Sequence, residues 1–288
     1  MNAHPHSVQL ATEPEAPALP DAPRFAQNLM QAAKILVPVF EAGRSIDAAA
    51  LRAAMEDACG ASDTSGAWVW KDAYEAAEVA QILILSRYGA LMQRQALSPQ
   101  AFLTMIERFT ALAPSHTRRS EDSIRLQQFS TPLPLAAIVA QAAGFRDDDL
   151  MLEPSTGTGM LAIFAKIAGA RLALNELADT RRALLGQLFP DAAVSDHDAA
   201  SIDDRLDRSI TPSVVYSVAS AAGSNPLVRR VSEVRGLIET SLVFLRSSPK
   251  RLATEWAIAE LVTVVQLTRP WRSASTTRGL AWETSWLE

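Results

Sequence analysis

The chain has 288 residues, of which 48% are hydrophobic and 20% charged, with a formal net charge of -5 and a mean hydropathy near zero. That length accommodates a helical module plus one α/β domain with a sizeable core, and the composition excludes a wholly disordered chain and a membrane bundle. The apolar stretches at Val79 to Leu85 and Ala257 to Leu267 are short or broken by Glu260, the N-terminus lacks a basic start followed by an apolar run, and the single Cys59 can form no internal disulfide, so a cytoplasmic address with no membrane partner is expected.

Residues 1 to 22, rich in Ala, Pro and Glu without apolar periodicity, read as a disordered leader. His4 and His6 lie there without further ligands nearby, so no metal site is expected. From 23 to 117 the spacing is helical. Phe25, Leu29, Ala33, Leu36 and Val37 recur at three and four residues, and Leu51, Met55 and Ala58 repeat the pattern. Four helices are expected, the longest over Asp72 to Leu91, with Tyr74, Ala77, Gln81, Leu85 and Tyr88 marking its faces. Ser98-Pro99 supplies an N-cap and a first-turn proline for a helix to Leu112. Trp68 and Trp70 read as core or staple residues, with base stacking as the other reading, and Cys59 as a small core residue.

Ser115 to Arg125 is polar, a solvated linker or, through Arg118 and Arg119, a phosphate contact. A helix from Leu135 to Ala143 ends on Gly144, and a strand over Leu150 to Leu152 follows. That strand turns through Glu153-Pro154-Ser155-Thr156-Gly157-Thr158-Gly159 into an apolar helix beginning near Gly159, a nucleotide-type loop whose glycines let backbone approach a ligand. No Gly-Lys-Ser/Thr follows, which excludes a P-loop. The pattern also reads as a dinucleotide loop, but Glu153 would oppose a pyrophosphate there. A carboxylate at that place suits a ligand bearing an ammonium group, such as the amino-acid end of S-adenosylmethionine.

A second strand, Arg171 to Leu174, ends in Asn175-Glu176, where an acid can accept both hydroxyls of a ribose. A helix over Asp179 to Phe189 and a third strand over Ala192 to Val194 follow, then Asp198, a candidate acceptor for an adenine amine or a loop cap beside Ser201 and Asp203. There is no Gly-x-Ser-x-Gly elbow, and neither His116 nor His197 has an identifiable nucleophile beside it in sequence, so hydrolase chemistry is not expected.

Gln127-Gln-Phe129-Ser-Thr131-Pro132, the Glu153-Pro154-Ser155-x-Gly157-x-Gly159 loop and Asn175-Glu176 together resemble class I S-adenosylmethionine-dependent methyltransferases of the N6-adenine DNA type. The likeness is closer still to the methylase-like part that precedes a strawberry notch-like helicase in certain bacterial proteins, and it covers about residues 24 to 215. It implies a Rossmann-like sheet over 118 to 215 behind the helical region, S-adenosylmethionine as cofactor, and methyl transfer to an amine of DNA, with RNA open. Phe129, Thr131 and Pro132 would close over the cofactor, Glu153, Pro154, Ser155, Gly157 and Gly159 would cradle its methionine part, and Asn175, Glu176 and Asp198 would serve its nucleoside.

The family's Asn/Asp-Pro-Pro-Phe/Tyr motif should follow a fourth strand at Ser213 to Tyr216, where it would hold a flipped base. The sequence there offers only Asn225-Pro226, the weak catalytic candidates. The likeness ends at Tyr216. Residues 213 to 288 carry nine Lys and Arg against six Asp and Glu, no Asp, His or Met, and four of the six tryptophans. Within it, residues 216 to 288 form a divergent segment of uncertain structure that is expected to leave the methyltransferase sheet incomplete, to be a frameshifted or recombined tail, and to stand where a helicase domain or partner would follow. A non-catalytic cofactor-binding or nucleic-acid-loading module is the alternative function, and an NAD oxidoreductase a third.

Overall fold

The computed structural model describes residues 21–114, 130–199, 202–207, 210, 212, 214–220, 239–243 and 260–266. Phe129, Asn225 and Pro226, residues 1–20 of the expected leader, the arginines at 118, 119 and 125 and the end of the tail lie outside the described residues.

The helical periodicity becomes α1 (Ala22–Glu41), α2 (Ala48–Cys59), α3 (Trp70–Gln95) and α4 (Pro99–Thr110). Asp47 caps α2 by accepting the Ala50 N–H at 2.8 Å, and Ser98 caps α4 through the Ala101 N–H at 3.1 Å. α1 buries Phe25, Leu29, Ala33 and Leu36, the stripe its spacing predicts, with Val37 at its edge. α3 is longer than the sequence suggests and is buried from Glu75 to Ile82 on every face. It takes Glu75, Glu78 and Gln81 into the interior with it. Trp68 is a core residue whose Nε1 donates to the Ala61 carbonyl at 2.8 Å, so it offers no platform for a base. Cys59 is half-buried against the same core.

α5 (Leu133–Ala143) ends on Gly144 at φ 58°, the left-handed residue the sequence proposes as its stop. The α/β part then alternates β1 (Leu150–Glu153), α6 (Ala162–Ile167), β2 (Arg171–Asn175), α7 (Asp179–Leu188), β3 (Ala193–Ser195), the short α8 (Ile202–Arg205) and β4 (Val214–Ser220). β5 (Glu239–Val243) and β6 (Glu260–Gln266) complete the described strands, in the order β3-β2-β1-β4-β6-β5. β1 to β4 are parallel, with Leu150 opposite Arg171, Ala173 opposite Ala193 and Met151 opposite Val214. β6 runs antiparallel between β4 and β5. The fold is α/β: a Rossmann-like sheet with its crossover helices, preceded by a helical region.

Two strand-and-helix expectations shift. The fourth strand continues from Val214 through Ser220 instead of ending at Tyr216, because the segment beyond 216 pairs residue by residue with β6, from Val214 opposite Gln266 to Ser220 opposite Glu260. The helix after the glycine loop starts at Ala162 and spans six residues, not from Gly159. Gly157 and Gly159 sit at φ 61° and 97°, outside helical backbone, so the chain needs a further turn before it can coil.

One apolar cluster runs from Phe25 in α1 through α3, α4 and α5 to Phe189 at the end of α7. The helical region therefore shares its core with one face of the sheet. The rings of Phe102 and Phe164 meet edge-on at 6.3 Å between α4 and α6. Arg181 of α7 is buried against Glu75 of α3, its Nε donating at 2.9 Å. Removal of either partner would strand a charge in the interior. On the opposite face Leu152, Ala173 and Ile202 form a smaller cluster.

Candidate functional site

The parallel strands β1, β2 and β3 end together, and in open α/β sheets the crevice beyond those carboxyl ends is where ligands bind. Here the crevice is built from the loop 154–161 after β1, Glu176 after β2, and the segment Ser130–Thr131 before α5. Ser130, Thr131, Glu153, Ser155, Thr156, Gly157, Thr158, Met160 and Leu161 enclose a cavity of about 30 Å³.

Asn175 ties the loops together. Its Nδ2 donates to the carbonyls of Pro154 at 2.9 Å and His197 at 2.7 Å, while Oδ1 accepts from Ser195 Oγ and the His197 N–H, each at 2.8 Å. Both donors and the acceptor are thereby used on protein groups, which fixes the ends of β1 and β3 relative to β2. Pro154 acts through its carbonyl in the same network. Pro132 caps α5, its carbonyl accepting the Ala136 N–H at 3.0 Å.

The loop's own N–H groups point to a different chemistry from a phosphate cradle. Gly157 N–H donates to Glu176 Oε2 at 2.8 Å, Gly159 N–H to the Thr156 carbonyl at 3.1 Å, and Thr156 N–H to the Asn175 carbonyl at 2.9 Å. Glu176 also accepts the Ala178 N–H through Oε1 at 2.9 Å, so both its oxygens hold backbone. The Ala162 N–H is bonded to Glu153. Two carboxylates thus occupy amides that an anion would need, and a pyrophosphate would meet both of them.

Glu153 is 1% exposed, and its Oε2 is a buried oxygen with no hydrogen-bond partner. Burial, with the negative charge of Glu176 adding to it, raises its carboxyl well above the usual range, against the opposing pull of the Ala162 amide. An unpartnered carboxyl oxygen lining a cavity is satisfied by a donor, and best by a cation.

The two glycines of the loop divide their work. Gly157 has open space where a side chain would begin. Gly159 does not: a Cβ there would stand 2.5 Å from the Phe189 ring and 3.3 Å from Leu185. Gly159 therefore brings α7 against the loop, whereas Gly157 is the residue that leaves room for a ligand. Ser155 is exposed at the mouth, and Thr131 forms part of the wall. Asp198 lies exposed in the loop after β3, outside the cavity wall.

Sequence reasoning did not single out Glu78, Thr156, Thr158 or Ser130. Thr156 Oγ1 donates to the Glu153 carbonyl at 3.1 Å and accepts the Asn175 N–H at 3.2 Å, bracing β1 to β2. Glu78 of α3 accepts from both Ser130 and Thr158. A signal for it existed, since Glu75, Glu78 and Gln81 recur every three residues inside the otherwise apolar stretch Ala73 to Leu85. Gln81 is 3% exposed and its Nε2 has no hydrogen-bond partner.

No protein-family model matches the sequence, and no curated protein matches it. Among solved structures, the tRNA (m1A58) methyltransferase TrmI from Aquifex aeolicus is 12% identical, with 53% of this chain and 77% of that one covered at a TM-score of 0.36. A Thermoplasma acidophilum protein is 17% identical over 51% of this chain and 95% of its own, at a TM-score of 0.33. A SAM-dependent O-methyltransferase from Thermotoga maritima is 14% identical over 52% and 72%, at 0.31. The α/β class of this chain follows from the strand order and register above. Among the described residues there is no group of His, Cys, Asp and Glu that could hold a metal and no helix long and apolar enough to cross a membrane.

Proposed function

We propose that the crevice beyond β1 and β2 binds S-adenosylmethionine, and that the chain is a methyltransferase-like module of the adenine-specific DNA type. The observation that carries the reading is Glu153, buried, unpartnered at Oε2 and facing a loop whose amides are already bonded, Gly157 N–H to the Glu176 carboxylate and the Thr156 and Gly159 N–H groups to backbone carbonyls. Such a site rejects a phosphate and receives an ammonium group, and the amino-acid end of this cofactor provides one. Bound there, the cofactor supplies a methyl group on a sulfonium, open to attack by an amine. Glu153 would hold its ammonium group, Ser155 and Gly157 would face its methionine part, and Phe129, Thr131 and Pro132 would border it. Glu176 and Asp198 would serve the ribose and the adenine. Glu176, held by two amides, has only its remaining lone pairs to offer.

In the same reading, residues 23–117 support the cofactor domain at 118–215, the amine belongs to DNA or RNA, and a helicase partner or following helicase domain delivers the nucleic acid in a cytoplasmic setting. A second reading, a non-catalytic cofactor-binding or nucleic-acid-loading module, rests on the residues after β4. They run Ala221-Ala-Gly-Ser-Asn225-Pro226-Leu, with a single proline and no aromatic residue to stack on a base.

Calorimetric titration with S-adenosylmethionine and, separately, NAD tests the proposal. Binding of the first, lost in Glu153→Gln, is expected; NAD binding with no response to S-adenosylmethionine would overturn it. Methyl incorporation into DNA then separates the two readings, since cofactor binding without incorporation favours the non-catalytic module.

A further inference from the structure

Glu78 belongs to the helical region, yet it reaches across to the crevice. The side chain is 3% exposed, and its Oε2 accepts from Ser130 Oγ at 2.8 Å and from Thr158 Oγ1 at 2.7 Å. The two hydroxyls come from different walls of the same cavity, Ser130 from the segment that enters α5 and Thr158 from the glycine loop. One oxygen of α3 therefore holds both walls. The position of that oxygen is set in turn by the packing of α3, which is buried on every face from Glu75 to Ile82 and anchored one turn earlier by Glu75 to Arg181 of α7.

The space so enclosed is small. A cavity of about 30 Å³ admits a water molecule or two, whereas ligand pockets run to about 300 Å³ and more. A ligand of amino-acid size enters only if a wall moves. The glycine loop is braced by Asn175, Thr156 and Glu176. Among the described residues, the Ser130 wall meets Glu78 through the Ser130 hydroxyl.

We infer that Glu78 is a positioning residue of the site: it fixes Thr158 in the loop and holds Ser130 against it, so that ligand entry proceeds by release of Ser130 from the shared oxygen while Thr158 stays in place. The helical region thereby sets access to the crevice. This rests on the proposed function only for the identity of the ligand.

Two measurements on the full chain test it, on Ser130→Ala, Glu78→Gln and the wild type. The first is hydrogen exchange without ligand. Loss of one hydrogen bond should raise exchange at Ala136, in the first turn of α5, about five- to tenfold in Ser130→Ala. The α3 amides should be unchanged, and Glu78→Gln, which retains an acceptor, should stay close to the wild type. The second is stopped-flow binding of S-adenosylmethionine, whose association rate should rise by a similar factor in Ser130→Ala, with Tm lowered only by the few degrees that one lost hydrogen bond costs. Wild-type exchange at Ala136 in Ser130→Ala, or a uniform rise across α3 and α5, overturns the inference. Faster exchange with an unchanged association rate also overturns it, because the segment is then not the way in. If the wild type binds no S-adenosylmethionine, the functional proposal fails while the exchange measurement still decides the role of Glu78.

Discussion

Gly159→Ala tests whether the second glycine of the loop serves packing. At φ 97° an L-residue is strained, and a single residue in such a conformation costs about 1–3 kcal/mol. The new methyl group would also stand 2.5 and 3.0 Å from two atoms of the Phe189 ring, which is itself buried, and 3.3 Å from Leu185. Ordinary carbon contacts begin near 3.5 Å, so the ring must give by about an ångström, and overpacking of that kind costs about 1–3 kcal/mol. The total is about 2–6 kcal/mol, a large share of the stability of an ordinary domain. Gly157→Ala meets nothing within 4 Å and should show only the strain of its φ of 61°, about 1–2 kcal/mol. Urea denaturation of both variants, with Phe189→Leu and the double variant, measures the two terms. In the double variant the ring is gone, so a coupling of about 1–2 kcal/mol in favour of Gly159→Ala/Phe189→Leu is expected. Equal losses for the two glycine variants, or no coupling to Phe189, would refute the assignment.

Three further outcomes follow from buried charges. Arg181→Met leaves Glu75 buried beside only Lys71 at 3.4 Å, and should cost about 3 kcal/mol in denaturant titration, most of it regained in Arg181→Met/Glu75→Met. Asp72 is pushed up to about 6, chiefly by burial and secondarily by Glu75, although the Val69 N–H opposes the shift. The folded chain then binds a proton across the window from 3.8 to about 6 in which the unfolded chain has lost it, so this residue's contribution to stability falls as pH rises through that window. Asp72→Asn, which keeps an acceptor for Val69, should therefore exceed the parent by roughly 2 kcal/mol at pH 8 and match it at pH 3.5, as read from urea midpoints. Glu153 obeys the same sign, with its folded carboxyl well above 4.5. Glu153→Gln should raise Tm at pH 8 while abolishing S-adenosylmethionine binding, and wild-type binding should release a proton, detectable as a dependence of calorimetric heat on the buffer.

Much of the fold was legible along the chain. The stripe of Phe25, Leu29, Ala33 and Leu36, the Ser98-Pro99 start, the Gly144 stop and the two short apolar strands at 150 and 171 depend on local periodicity and capping, and all appear in the structure. Glu153 and Glu176 were legible as candidates because each stands at a strand end next to the glycine loop. Less legible was the length of β4. Its residues Ser217 to Ser220 carry no strand signal beyond Val218, and their extended form is fixed by pairing with β6, from Ser217 opposite Thr263 to Ser220 opposite Glu260.

The sequence by itself determined which segments coil, which extend and where the chain turns, since these follow from side-chain spacing and from backbone freedom at a few glycines. Only the tertiary structure decided what those residues do. Asn175 looked like part of a ligand site and is a brace among three loops; Gly159 looked like an approach to a ligand and is a packing contact with Phe189. Glu78, ordinary within its helix, joins two walls of the crevice that are 52 and 80 residues away in sequence. Such roles arise from contacts between distant segments, where burial turns a carboxyl group from a solvated surface charge into one that must find donors.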